Sequence, residues 1–235
     1  MYVSTEGPID AKIMLVGEAP GEAEDACGKP FRGPAGKTLD ILLSQAGIAR
    51  YQCLVTNVAR ERPPANRISF YFEDKQCTIP KPRLSTWIET LRKEIVTYKP
   101  NIIIALGATA LWVLTGEKKI SELRGYILPC SLVPGIKVLP TYHPQAINYE
   151  WKLYFPCVLD LRKALRHSSF KALSIDNRIL LPNSTPKEFI SYMEQLISDD
   201  TKPIISIDIE TNPRHPGSHI TELGIGHSSD FAMSI

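Results

Sequence analysis

The chain has 235 residues, of which 43% are hydrophobic and 22% charged, and its formal net charge is +2. This composition belongs to a globular protein and excludes a mainly disordered chain, a coiled coil or a collagen-like fibre. The near-neutral balance excludes a strong global pull toward nucleic acid but leaves room for a local basic face.

No apolar run reaches the ~18 residues a membrane helix needs, so no membrane partner is expected. The cysteines stand at 27, 53, 77, 130 and 157, without a C-x-x-C pair. An odd count and an N-terminus (MYVSTEGPIDAK) without an apolar leader point to free thiols in a reducing compartment. The expected location is the cytoplasm.

In chain order, KIMLVG (12–17) reads as a buried strand feeding a loop, Glu18–Pro34, rich in Gly, Pro, Glu and Asp. AGKTLDILLSQAG follows with Leu39, Leu42 and Leu43 at helical spacing and Gly47 at its end. CLVTNV (53–58) is the next strand, and ERPPANR (61–67) cannot be helix interior because adjacent prolines remove donors and clash. LSTWIETLRKEIVTYKP (84–100) is an amphipathic helix stopped by Pro100. NIIIALG (101–107) is a strand, ATALWVLTG a helix, IKVLPTYHP (136–144) a strand entering a Pro-locked loop, and FPCVLDLRKALRH (155–167) a closing helix.

Strands alternating with helices predict an α/β three-layer sandwich with a mainly parallel central sheet. In such sheets ligands gather at the C-terminal ends of the strands. Three marked loops fall there: GEAPGE, NVARERPP and YHP.

Composition shifts after about residue 168. Residues 169–200 read as a linker with a helix, TPKEFISYMEQLIS, opened by the capping pattern Thr185, Pro186 and Glu188. Residues 201–235 read as three short strands, too few for a core of ordinary size, and so as the start of a further α/β domain.

The loop at 17–36 holds Glu18, Glu22, Glu24 and Asp25, the aromatic Phe31, and small residues before a helix start. Gly33 and Gly36 let backbone amides approach a ligand, and a helix N-terminus favours an anion. GEAPGEAED, KPFRGPAG, TNVARERPPANR, IIIALG and TYHP stand in series over roughly residues 12–165. In this order they resemble the motifs of the family 4 uracil-DNA glycosylases.

The resemblance implies a flipped uracil as substrate. Phe31 would stack on the base and Gly17 would line its site. Asn57 offers an acceptor and a donor to the uracil edge, and Glu24 would crowd a thymine methyl. Glu18 would stabilise charge at the sugar and orient water, and His143 would donate to uracil O2. Gly33, Gly36, Arg60, Arg62 and Arg67 are the expected DNA contacts, with phosphates as the partner. No lysine stands out as a Schiff-base nucleophile, so cleavage without lyase action is expected.

The family usually carries a four-cysteine iron–sulfur site. Here no cysteine precedes the first strand, Glu61 stands at the third ligand position and Cys77 at the fourth. One thiolate cannot hold a cluster, so the sequence-based expectation is a glycosylase domain without a cofactor. The segment PQAINYEWK after His143 also lacks the Leu-Leu-Arg often seen in the family. The alternative on the same residues is a DNA- or uracil-binding accessory domain that does not cut.

IISIDIETN places Asp208 and Glu210 two apart on a strand, hence on one face. This resembles the first motif of DEDD-type 3′–5′ exonucleases, which implies Mg²⁺ once such a domain is complete. A glycosylase-like module before such a motif resembles the N-terminal region of some phage family A DNA polymerases, with the remaining exonuclease and polymerase domains as expected partners.

Overall fold

The structure is a computed structural model that describes residues 1–171, 179–181, 184–200, 205–211, 220–226 and 231–234. The chain divides into two compact units, Met1–Leu173 and Ser174–Ile235.

The first unit is built on a five-stranded sheet in the order β2-β1-β3-β5-β4. Its strands are β1 (Ile13–Gly17), β2 (Cys53–Asn57), β3 (Ile102–Leu106), β4 (Leu128–Pro129) and β5 (Lys137–Thr141). β2, β1, β3 and β5 run parallel, and only β4 is antiparallel. The helices are α1 (Glu22–Cys27), α2 (Pro34–Ala46), α3 (Pro82–Tyr98), α4 (Ala108–Thr115), α5 (Ile120–Leu123), α6 (Pro144–Tyr149) and α7 (Tyr154–His167).

Both faces of the sheet are covered, which is why its strands read as near-continuous apolar runs. Met14, Val16, Leu54, Ile103 and Val138 pack on one side with Leu84, Trp87, Leu91 and Ile95 of α3 and Leu111 of α4. Ile13, Leu15, Val55, Ile104 and Leu139 pack on the other with Leu39, Leu42 and Leu43 of α2 and Leu161 of α7. The α/β sandwich with a mainly parallel sheet is therefore observed as the sequence pattern implies. α2 ends at Gly47, whose φ of 80° favours a residue without a Cβ.

β1 pairs with β2 on one side and β3 on the other. The chain therefore leaves β1 toward the β2 edge and leaves β3 toward the β5–β4 edge, in opposite directions. Their C-terminal ends open the crevice where α/β sheets bind ligands. Gly17–Glu18 form one lip and Gly107–Thr109 the other.

Three short helices were not expected from the sequence. α1 lies inside the acidic loop, where EAEDAC has no apolar period to announce it. α5 is a single turn, and α6 begins on Pro144, which suits a first helical position because its missing N–H would have no partner there.

In the second unit, β6 (Ile179–Leu181), β9 (Phe231–Ser234), β8 (Ile220–Gly226) and β7 (Ser206–Thr211) form a four-stranded sheet in that order. α8 (Pro186–Ile197) starts with the expected capping box: Glu188 N–H donates to the Thr185 hydroxyl and Thr185 N–H to the Glu188 carboxylate. β7 carries Asp208 opposite Gly224 and Glu210 opposite Glu222 of β8. The side chains of Asp208 and Glu210 lie outside the described residues. Among the described residues, no helix is long and apolar enough to cross a membrane.

Candidate functional site

Gly17 ends β1 in register with Asn57 at the end of β2. A Cβ built on Gly17 would lie 2.4 Å from Asn57 Oδ1 and 2.4 Å from the tip of the Phe31 ring. Only glycine allows these three residues to meet. Asn57 Oδ1 is buried and has no hydrogen-bond partner, an arrangement that is costly unless a ligand completes it.

Phe31 is buried with φ 53°, a left-handed backbone that is unusual for a bulky residue and marks a constrained site. Its constraint comes from Glu24. One carboxylate oxygen accepts the amides of Arg32 and Gly33, both at 2.7 Å, and the other accepts the Gly21 amide at 3.0 Å. Burial would raise the Glu24 carboxyl, but these backbone donors outweigh it and hold the group below the usual carboxylate range.

His143 caps α6. Its Nδ1 accepts the Gln145 amide at 3.2 Å, which leaves Nε2 as the protonated, donating nitrogen of a neutral ring. Burial pushes the imidazole down to about 4, against a smaller opposing pull from Glu24. The ring centroids of His143 and Phe31 are 5.8 Å apart. A Cβ on Gly107 would lie 3.1 Å from His143 Cβ, so the β3 end also approaches this ring closely. The β5 end just before His143 is tied down by buried Asp160, which accepts the Thr141 hydroxyl at 2.7 Å and Arg124 Nε at 3.0 Å.

Glu18 lies at the mouth of the crevice, half-buried. Its carboxylate accepts the Thr109 hydroxyl at 2.5 Å. Burial raises this carboxyl above its ordinary value and the Thr109 bond opposes the rise.

Gly17, Phe31, Asn57 and His143 thus come together, with Glu18 at the β1 end beside them and Glu24 behind the loop. Three expected DNA contacts are corrected. Arg60 is fully buried, ion-paired to Glu94 at 2.5 Å and bonded to Thr5 at 2.8 Å and to Thr56. The Gly33 amide is already taken by Glu24, and Gly36 is buried where a Cβ would sit 2.0 Å from the Phe31 carbonyl. Arg67 is exposed, and Arg62 lies at the rim beside Asn66 and Glu22. The sequence reading missed Thr109, Asp160 and the bracing role of Glu24, because all three act through partners far along the chain or through backbone amides.

A surface groove of about 780 Å³ lies elsewhere, between residues 6–8, α2 and the β2 edge. Its arginines are already paired, Arg32 with Glu6 and Arg50 with Asp40.

Residues 4–167 match the uracil DNA glycosylase superfamily. The chain belongs to that superfamily. Its relatives include a type-4 uracil-DNA glycosylase of Thermotoga maritima, 40% identical over 60% of this chain and 68% of that protein. A second, from Saccharolobus solfataricus, is 37% identical over 74% of this chain and 80% of that protein. A DNA polymerase of Bacillus phage SP01 is 28% identical over 83% of this chain but only 18% of its own length. Membership makes the first unit a glycosylase-class hydrolase.

Membership also corrects the expectation of a glycosylase domain without a cofactor. The type-4 relatives place the chain in a family of iron–sulfur enzymes. The described residues do not fit the family's four-thiolate ligand set. Among them no three His, Cys, Asp or Glu residues gather into a metal site. Cys53, Cys130 and Cys157 are buried, and burial pushes their thiols up, Cys53 to about 11. Glu61, at the third ligand position, is ion-paired to Arg83 at 2.5 Å.

Proposed function

We propose that the first unit hydrolyses the N-glycosidic bond of a flipped uracil in DNA and leaves an abasic site. The observation that carries this reading is the buried, unpartnered Asn57 Oδ1 against the Phe31 ring and Gly17. A uracil stacked on Phe31 would donate its N3–H to that oxygen and accept at O4 from the Asn57 Nδ2–H. Cytosine lacks the N3–H and presents a donor at position 4, so it would leave Asn57 mismatched.

As the C1′–N1 bond breaks, its electron pair moves onto the base, and the neutral His143 Nε2–H stabilises the negative charge at O2. The Glu18 carboxylate faces the positive sugar and takes a proton from the water that adds to C1′. Glu24 braces the Phe31 loop. With its oxygens on backbone amides, it acts on specificity through Phe31 rather than by meeting a methyl group.

Exposed Tyr149, at the end of the helix that His143 caps, and Trp151 just beyond it form an aromatic shelf for bases next to the flipped nucleotide. Arg62 and Arg67 supply phosphate contacts.

We read the second unit as exonuclease-like, of the kind joined to DNA polymerases. The strand SIDIET and the phage polymerase relative support that reading.

The test is uracil release. DNA carrying one uracil is incubated with the chain and treated with hot alkali. Scission at the uracil, lost in Glu18→Gln and His143→Ala, is expected. DNA binding without scission would instead favour an accessory domain that reads DNA and does not cut.

A further inference from the structure

Thr109 opens α4 where the chain leaves β3, on the lip of the crevice facing Glu18. Hydroxyls of helical threonines commonly donate to the carbonyl four residues back. Thr38, Thr86, Thr90, Thr97 and Thr115 all do so in this protein. Thr109 stands at the second position of its helix, so no helical carbonyl lies four residues behind it. Its hydroxyl instead reaches across the crevice to Glu18, 91 residues away in sequence, at 2.5 Å.

We propose that Thr109 is a positioning residue for the glycosylase reaction: its hydroxyl holds one Glu18 oxygen across the crevice and leaves the other facing the sugar and its attacking water. This inference rests on the glycosylase reading above. A glutamate has three rotatable bonds, and a carboxylate that must meet a water and a sugar carbon loses rate steeply when displaced. A charge-assisted O–H···O⁻ bond fixes it in orientation as well as distance. The first-turn amides of α4, which have no carbonyl partner within the helix, add a favourable field for an anion at the same place.

The charged groups on the neighbouring elements leave this role to Thr109. Glu24 of α1 is bound to backbone amides, and His143 before α6 is neutral. Arg60 beyond β2 is turned inward to Glu94 of α3, and Arg62 lies near Glu22.

The test uses the whole chain with Thr109→Val, which keeps the shape and removes the donor, and Thr109→Ser, which keeps the donor. Uracil release is followed as kcat/KM against pH, and the Glu18 carboxyl is titrated by carbon NMR, assigned with Glu18→Gln. Losing a bond to the charged form raises a carboxyl. Thr109→Val should therefore move the acid limb and the Glu18 titration upward and lower the plateau rate above that limb by roughly tenfold to a hundredfold. Thr109→Ser should restore both.

A uniform loss at every pH with an unmoved limb would mark Thr109 as merely structural and overturn the proposal. An unmoved Glu18 titration in Thr109→Val overturns it whatever the activity. A wild-type chain that titrates as described but releases no uracil overturns the glycosylase reading instead.

Discussion

Glu24 accepts the backbone amide of Gly33 at 2.7 Å and so closes a nine-residue span of the loop around Phe31. With the Arg32 and Gly21 amides it ties both ends of that loop to one carboxylate. Glu24→Gln keeps one acceptor oxygen but turns an NH2 group toward a backbone N–H. It should cost roughly 1–3 kcal/mol, the penalty of a buried group left unsatisfied, and raise KM for uracil-containing DNA more than it lowers kcat. Denaturant unfolding and steady-state kinetics check both.

The pH dependence of that bracing has a definite sign. Because the folded-state carboxyl lies below the unfolded one, Glu24 contributes stability above the usual carboxylate value. That stability is lost as pH falls through the depressed folded value. Wild-type and Glu24→Gln stabilities should converge toward acid pH. Parallel curves would show that the Glu24 charge contributes nothing.

Much of the fold was legible in the sequence because it is written in period and punctuation. Ile102–Leu106 was readable as a buried strand, and Leu39, Leu42 and Leu43 as one helix face. The pairing of Thr5, Thr56, Arg60 and Glu94 was not legible, since it joins an N-terminal segment, β2 and α3 across up to 89 residues of separation. Arg60 sits in ARERPPANR, which looks like a solvated basic loop until the fold turns its first arginine inward. The residues gathered at the crevice were legible as motifs. Their supports were not, because a backbone amide has no letter and Thr109 in ATALWVLT reads as helix filler.

Arg60 and Arg67 therefore predict opposite phenotypes. Arg60→Ala would leave Glu94 without its buried partner and should destabilise the fold by roughly 3–5 kcal/mol, with no change in the salt dependence of DNA binding. Arg67→Ala should leave stability unchanged and reduce the salt slope of binding by about one. Thermal melts and binding isotherms at several salt concentrations separate the two. An Arg60→Ala chain of normal stability and reduced slope would reverse the assignment.

His143 should stay neutral well below the pH at which an ordinary histidine titrates. With Nδ1 accepting the Gln145 amide and burial holding the ring to about 4, nitrogen NMR should show the Nε2–H form at pH 7 and at pH 5.5. The acid limb of uracil release should then follow Glu18, whose carboxyl is raised, rather than an imidazole. His143→Ala should lower kcat by roughly 10²–10³, the cost of losing one donor to a developing anion, and leave the limb where it was. A ring titrating near the ordinary value would remove the neutral-donor mechanism.

The exposed aromatic side chains after His143 are suited to stack on DNA bases. Tyr149 is 84% exposed and Trp151 68% exposed, unusually open for such large apolar side chains. The Trp151 ring stacks on Tyr154 with centroids 4.6 Å apart and planes 18° apart, so it is held flat from below while its other face is open. α6, which carries Tyr149, begins just after its cap His143 and is tied to α2 by a 2.7 Å bond between Thr38 and Asn148. The shelf is thus fixed relative to the base site. Base–aromatic stacking is worth about 1–3 kcal/mol per base, so Trp151→Ala should weaken binding to uracil-containing single strands by roughly fivefold to a hundredfold. The melting temperature should hold, because the side chain buries little. Unchanged affinity would mean that the bases run elsewhere. A large loss of stability would mean that Trp151 serves the packing of Tyr154 instead of the DNA.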